Sequence, residues 1–141
     1  MEVSKHAFCV ITHSKWEQLQ NLIDCIDDDR NDIYLHVDAK SFDEFLKVGQ
    51  PRTRQSPLYV IDKPISVAWS DVSIADAEVL LFRKVHESGN IYQYIHLLSG
   101  TDLPLRSMGQ IHESFEDRTE EFIRIGFNPR FIRRLKYYHF L

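Results

Sequence analysis

Near the amino terminus, Ala7-Phe8-Cys9-Val10-Ile11-Thr12 forms a short, unbroken apolar run. A strand with one wet face alternates polar and apolar residues. A run that is apolar throughout belongs to a strand covered on both faces, the habit of a parallel sheet in an α/β protein. The following residues agree with that constraint. His13-Ser14 ends the run, and Trp16, Leu19, Ile23 and Ile26 recur at helical spacing, which predicts a helix over 15–27 with a Ser14/Glu17 capping box. A second strand is predicted over 32–38. A short helix to Val48 is opened by Ser41 and Glu44, and a third strand spans 58–61. Ile74, Ala77, Leu81 and Val85 predict a buried helical stripe over 72–87, with Ser73 and Asp76 at its start and Gly89 at its C-cap. Residues 94–98 read as a strand, and 108–116 as a helix with a Ser107/Gln110 capping box and Ile111 and Phe115 facing the core. Residues 121–125 read as a further strand. The alternation of strands and helices makes this an α/β fold with a mostly parallel central sheet, and the chain has no internal repeats.

Composition excludes several classes. The chain has 141 residues, 43% hydrophobic and 27% charged, enough for one domain with its own core. A net charge of −4 gives no electrostatic support to a nucleic-acid partner, although a local basic pocket can still hold a small anion. The two cysteines form no CxxC pair, and Cys9 sits in the apolar run as a small buried hydrophobe. No apolar run approaches the ~20 residues of a membrane span, and the N-terminus lacks a signal peptide's apolar stretch. The expectation is a soluble, cytoplasmic chain, peripheral at a membrane at most.

The stretch over 90–107 carries the best local site signal. A strand rich in aromatic and aliphatic residues runs into Ser99-Gly100, Asp102 follows at the strand's carboxyl end, and Pro104 keeps the chain from re-entering the sheet. Ligands of open α/β sheets bind beyond the carboxyl ends of the strands, so Asp102 is a site candidate. An Asx turn explains it equally well. Asp38 has the same standing after the second strand: it suits a hydrogen bond to a ribose or base, or a cap or salt bridge near Lys40. His36 with Asp38 is too few ligands for a metal site. The functional reading requires Asp38 and Asp102 to converge on one crevice above neighbouring parallel strands.

Three blocks in series resemble a known family. Ile33-Tyr34-Leu35-His36-Val37-Asp38-Ala39-Lys40-Ser41 resembles its I-x-x-H-x-D-x-K-S segment. Residues 67–77, beginning Val-Ala-Trp-Ser, resemble V-x-W-[GA]-x-x-S-x-x-x-A, with Ser70 in place of the usual small Gly or Ala. Leu98-Ser99-Gly100-Thr101-Asp102-Leu103-Pro104-Leu105-Arg106-Ser107 falls in its L-x-S-G-x-D-x-P-[IL]-[KR]-[ST] segment. The family is that of the core-2/I-branching β-1,6-N-acetylglucosaminyltransferases, which includes the peptide O-xylosyltransferases. The resemblance implies a GT-A-like (Rossmann-like) three-layer fold, truncated here at the C-terminus. It also implies an inverting transferase that passes a sugar, expected to be N-acetylglucosamine, from a UDP-sugar to a glycan or other hydroxyl acceptor. No metal and no cofactor beyond the UDP-sugar donor are expected. Asp27 and Asp29 match the DxD spacing that many glycosyltransferases use for a divalent metal, but they follow a helix and read as a solvated connection.

By the same resemblance, His13 and Asp38 lie along the uridine site, and Ser99, Gly100 and Asp102 lie near the sugar or diphosphate. Trp69 shapes the loop beside that pocket, unless it is a plain core tryptophan. A metal-free site must supply cations for the departing UDP, and a carboxylate must take the acceptor's proton. In the family these are Arg, Lys and Glu residues further toward the C-terminus than Leu141. Glu113, Glu116, Glu120 and Glu121 do not match the base's context and follow a solvated face. Arg133, Arg134 and Lys136 suit either a phosphate or a loose surface role. The chain alone is therefore expected to have little or no transferase activity, and self-association through a face exposed by truncation is a further expectation. The alternative is a non-catalytic UDP-binding or assembly module of the same fold.

Overall fold

A computed structural model describes residues 5–123. The elements are β1 (His6–Thr12), α1 (Trp16–Ile26), β2 (Asn31–Val37), a 3₁₀ turn (Ala39–Ser41), α2 (Phe42–Val48), β3 (Leu58–Val60), α3 (Ser73–Glu87), β4 (Tyr94–Ser99) and α4 (Met108–Phe115). The strands form one parallel sheet in the order β3-β2-β1-β4. The first three strands add in one direction. The chain then crosses back over the sheet through α3, and β4 pairs on the other side of β1. That reversal makes the β1/β4 junction the topological switch point, where open α/β sheets leave a crevice.

The unbroken apolar run does what its composition requires. Phe8 and Val10 point into a layer built by α1, α2 and α4, where Leu19, Leu22, Ile23, Ile26, Phe45 and Met108 are buried. Ala7 and Cys9 point the other way, against Leu81 and Val85 of α3. Helices therefore cover both faces of the sheet, giving the three-layer arrangement expected of a GT-A-like fold. β4 departs from the fully buried strand predicted. Tyr94 is buried, but Ile95 and Leu97 on the α3 side are 47% and 41% exposed, because β4 is the outer strand among the described residues and α3 lies over β1 and β2.

Helix starts follow local rules less faithfully than strands. The Ser107/Gln110 capping box of α4 forms as predicted. The Ser14/Glu17 box does not: α1 begins after Lys15, held in the left-handed region at φ 58°, with no side-chain cap. Ser41 precedes α2 without a side-chain cap either. Ser73 is the first residue of α3, and its Oγ instead accepts from Ala68 N, at 2.8 Å. Residues 121–123 form no strand. The rest of the strand predicted over 121–125 lies outside the described residues, as do Arg133, Arg134 and Lys136. Among the described residues no helix is long and apolar enough to cross a membrane.

Candidate functional site

The crevice is organised by the end of β1. Ile11 O accepts from Gly100 N and Thr12 O accepts from Asp38 N, each at 2.8 Å. The last residues of β1 are thus tied to β4 on one side and to β2 on the other, and His13 leaves the sheet, exposed, between them. Gly100 is required by packing: a Cβ there would stand 2.6 Å from Thr12 Cβ. Only a residue without a side chain lets the β4 turn come this close to β1.

Asp102 holds its own turn. Its Oδ2 accepts from Ser99 N at 2.8 Å and its backbone N–H donates to Ser99 O at 2.9 Å. The hydroxyls of Ser99 and Thr101 lie 3.1 Å apart, and Gln18 of α1 donates to Thr101 O at 2.8 Å. The turn is therefore rigid, while Asp102 and Ser99 remain exposed at its rim. The Asx turn and a surface available to a ligand occur in the same residue.

Asp38 is buried, and both of its oxygens already have backbone partners: Oδ1 accepts from Lys40 N at 2.8 Å and Oδ2 from Val67 N at 3.2 Å. Lys40 Nζ lies 3.6 Å from Oδ2 and also donates to Val67 O. Two residues earlier on the same face, His36 Nε2 accepts from Ile65 N at 2.9 Å, and Ala39 N donates to Ile65 O at 3.1 Å. Burial pushes the His36 pKa down, which keeps the ring neutral and its Nε2 an acceptor. The H-x-D-x-K segment is thus a clamp that hangs the 65–69 loop from the carboxyl end of β2. The period-two spacing of His36 and Asp38 is the signal that places them on one face, but nothing in the sequence names the loop they hold. Asp38 and Asp102 do share the carboxyl edge of the sheet, but not from neighbouring strands. β1 stands between β2 and β4, which sets their strand ends roughly 10 Å apart at ordinary strand spacing.

Trp69 rides on the clamped loop at 88% exposure, so it is not a core tryptophan. The neighbouring Ser70 sits at φ 61°, in the left-handed region. A large ring held in water over a sheet's ligand edge is unusual for packing and ordinary for recognition. The start of α1 faces the same edge, and its first-turn amides have no side-chain acceptor at the cap.

The DxD aspartates lie elsewhere. Asp27 accepts from the backbone of Arg54, Gln55 and Ser56, and Asp28 between them is paired with Arg30, all at the amino end of the sheet. Hydrogen bonds from Arg30 hold the Asp28 carboxyl well below the usual carboxylate range. Among the described residues, no group of three or more His, Cys, Asp or Glu side chains could hold a metal ion. Glu113, Glu116, Glu120 and Glu121 are exposed, as a solvated face should be.

No curated protein matches the chain. A model of the core-2/I-branching enzyme family matches residues 6–140, which covers every element described above and all three sequence blocks. The chain belongs to the core-2/I-branching enzyme family and is by that membership a glycosyltransferase chain.

Proposed function

We propose that the crevice at the β1/β4 switch point binds the uridine diphosphate part of a sugar nucleotide. In this reading the chain is the donor-binding part of an inverting, metal-independent transferase that passes N-acetylglucosamine to a glycan hydroxyl. The supporting observation is the way one strand end gathers the candidates. β1 carries His13 outward between Asp38, just after β2, and the Ser99–Asp102 turn that ends β4, and family membership supplies the class of chemistry.

The parts take distinct roles. His13 and the clamp centred on Asp38 border the uridine, with Asp38 acting chiefly by fixing the loop that carries Trp69. The Ser99–Asp102 turn borders the sugar and diphosphate, where Gly100 permits close approach. The uncapped first turn of α1 adds partial positive charge toward the phosphates. Full cations and the general base are required to complete the reaction, since the leaving diphosphate gathers negative charge and the acceptor hydroxyl must lose its proton as it attacks the anomeric carbon. None of the described residues is assigned those two roles.

Isothermal titration with UDP and with UDP-N-acetylglucosamine tests the reading. Binding of both, weakened by Trp69→Ala without loss of folding, is the expected result. No heat and no thermal shift with either ligand at millimolar concentration would overturn it.

A further inference from the structure

A cleft of about 590 Å³ lies on the α3 side of the sheet, between β3 and the carboxyl half of α3, and shares no residue with the crevice above. Its floor is aromatic. Tyr59 is half exposed and stacks on buried Tyr34, with ring centroids 4.9 Å apart and an interplanar angle of 25°. Its rim is polar: Asp62, Lys84, Glu87 and Asn90.

The floor is fixed from behind. Tyr34 and Tyr92 share a hydroxyl hydrogen bond of 2.8 Å, Tyr92 donates to Asp32 at 2.6 Å, and Asn90 Nδ2 donates to both Asp32 and Tyr92. Lys5 neutralises the almost fully buried Asp32 at 2.9 Å. The Asn90 amide hydrogens are spent on this network, which leaves its Oδ1 as an acceptor. Asp62 has no hydrogen bond or ion pair among the described residues.

The lining selects a ligand class. Two carboxylates, Asp62 and Glu87, face one ammonium, Lys84, which is already 3.4 Å from Glu87. Local charge is therefore negative and repels phosphates. The rim is too polar for a greasy ligand. A tyrosine face of negative potential accepts the C–H side of a pyranose ring, while carboxylate and amide oxygens accept from its hydroxyls. We infer that this cleft is a second, non-catalytic binding site for a neutral carbohydrate, distinct from the nucleotide crevice.

Amide NMR titrations with chitobiose, lactose and maltose at millimolar concentration test it, with UDP and spermidine as controls. The expected result is that at least one disaccharide shifts Ile61, Asp62 and Asn90 and leaves Gly100–Asp102 unmoved. Tyr59→Ala should weaken that binding about tenfold, the loss of one aromatic contact. Asp62→Asn, an exposed change that leaves the floor intact, should weaken it less. The inference is overturned if no disaccharide moves those resonances, if shifts centre on the crevice, or if spermidine moves them more than any sugar. Failure of UDP to bind the crevice would remove the donor reading and leave this one standing.

Discussion

Acidification from pH 7 to pH 5 should destabilise this protein, because buried His6 and His112 and half-buried His96 cluster at the amino end of the sheet. His6 of β1 lies 4.2 Å from His112 of α4 and 5.0 Å from His96 of β4, measured between ring centroids. His6 Nδ1 and His96 Nε2 share a 3.0 Å hydrogen bond, and His112 Nε2 donates to Asn31 Oδ1 at 2.8 Å. Phe8, Tyr94 and Phe115 close the cluster. Burial is the largest force on all three rings. Repulsion from His112 adds to it at His6 and His96, and Arg30 adds to it at His6 and His112, against a hydrogen bond from Gln93 at His6 and the pull of Asp28 and Asp29 on His112. His6 and His96 are each lowered from 6.5 to about 4. Below pH 6.5 the unfolded chain therefore binds protons that the native state refuses, so stability falls as pH falls toward about 4. Each ring contributes about 1.4 kcal/mol per pH unit in that window, so the pair costs about 4 kcal/mol between pH 7 and pH 5. That is a large share of a small domain's stability. Urea unfolding followed by circular dichroism at pH 7, 6 and 5 measures it directly. Asp28 does not interfere, since its low pKa places its loss at far more acidic pH. His96→Gln should reduce the pH slope by one ring's share, at most about 1.4 kcal/mol per pH unit. A change below about 1 kcal/mol across those two pH units, or stability rising on acidification, refutes the argument.

Three further outcomes test the crevice. Gly100→Ala should cost about 1–3 kcal/mol by forcing β4 away from Thr12, read by urea unfolding, and should weaken UDP binding beyond that loss. Asp38→Asn keeps one acceptor where two backbone N–H groups need one each, so about 1–3 kcal/mol should be lost and limited proteolysis should cut first within 62–72. Trp69→Ala should leave stability within about 0.5 kcal/mol of the parent, because the ring is 88% exposed, while lowering UDP affinity in the same calorimeter.

How far the sequence could be read depended on whether a signal was local or distant. The run over 7–12 specified a strand buried on both sides because it is apolar throughout and too short for a buried helix before His13-Ser14 ends it, and the parallel order followed from the alternation with helices. The Ser107/Gln110 box succeeded where Ser14/Glu17 failed because a cap competes with the chain's route into the helix, and at Lys15 the route out of β1 imposes a left-handed turn instead. The site candidates were legible as positions at strand ends but not as partners. A single chain gives no view of which side of β1 the last strand joins, so sequence alone favours neighbouring strands for Asp38 and Asp102, whereas β1 divides them. The cap near Lys40 was open from the sequence, but nothing there shows that Asp38 also holds Val67 N, which assigns its carboxylate to positioning the Trp69 loop. That reassignment makes the tryptophan loop, rather than the carboxylate itself, the part of the crevice whose substitution should separate binding from folding.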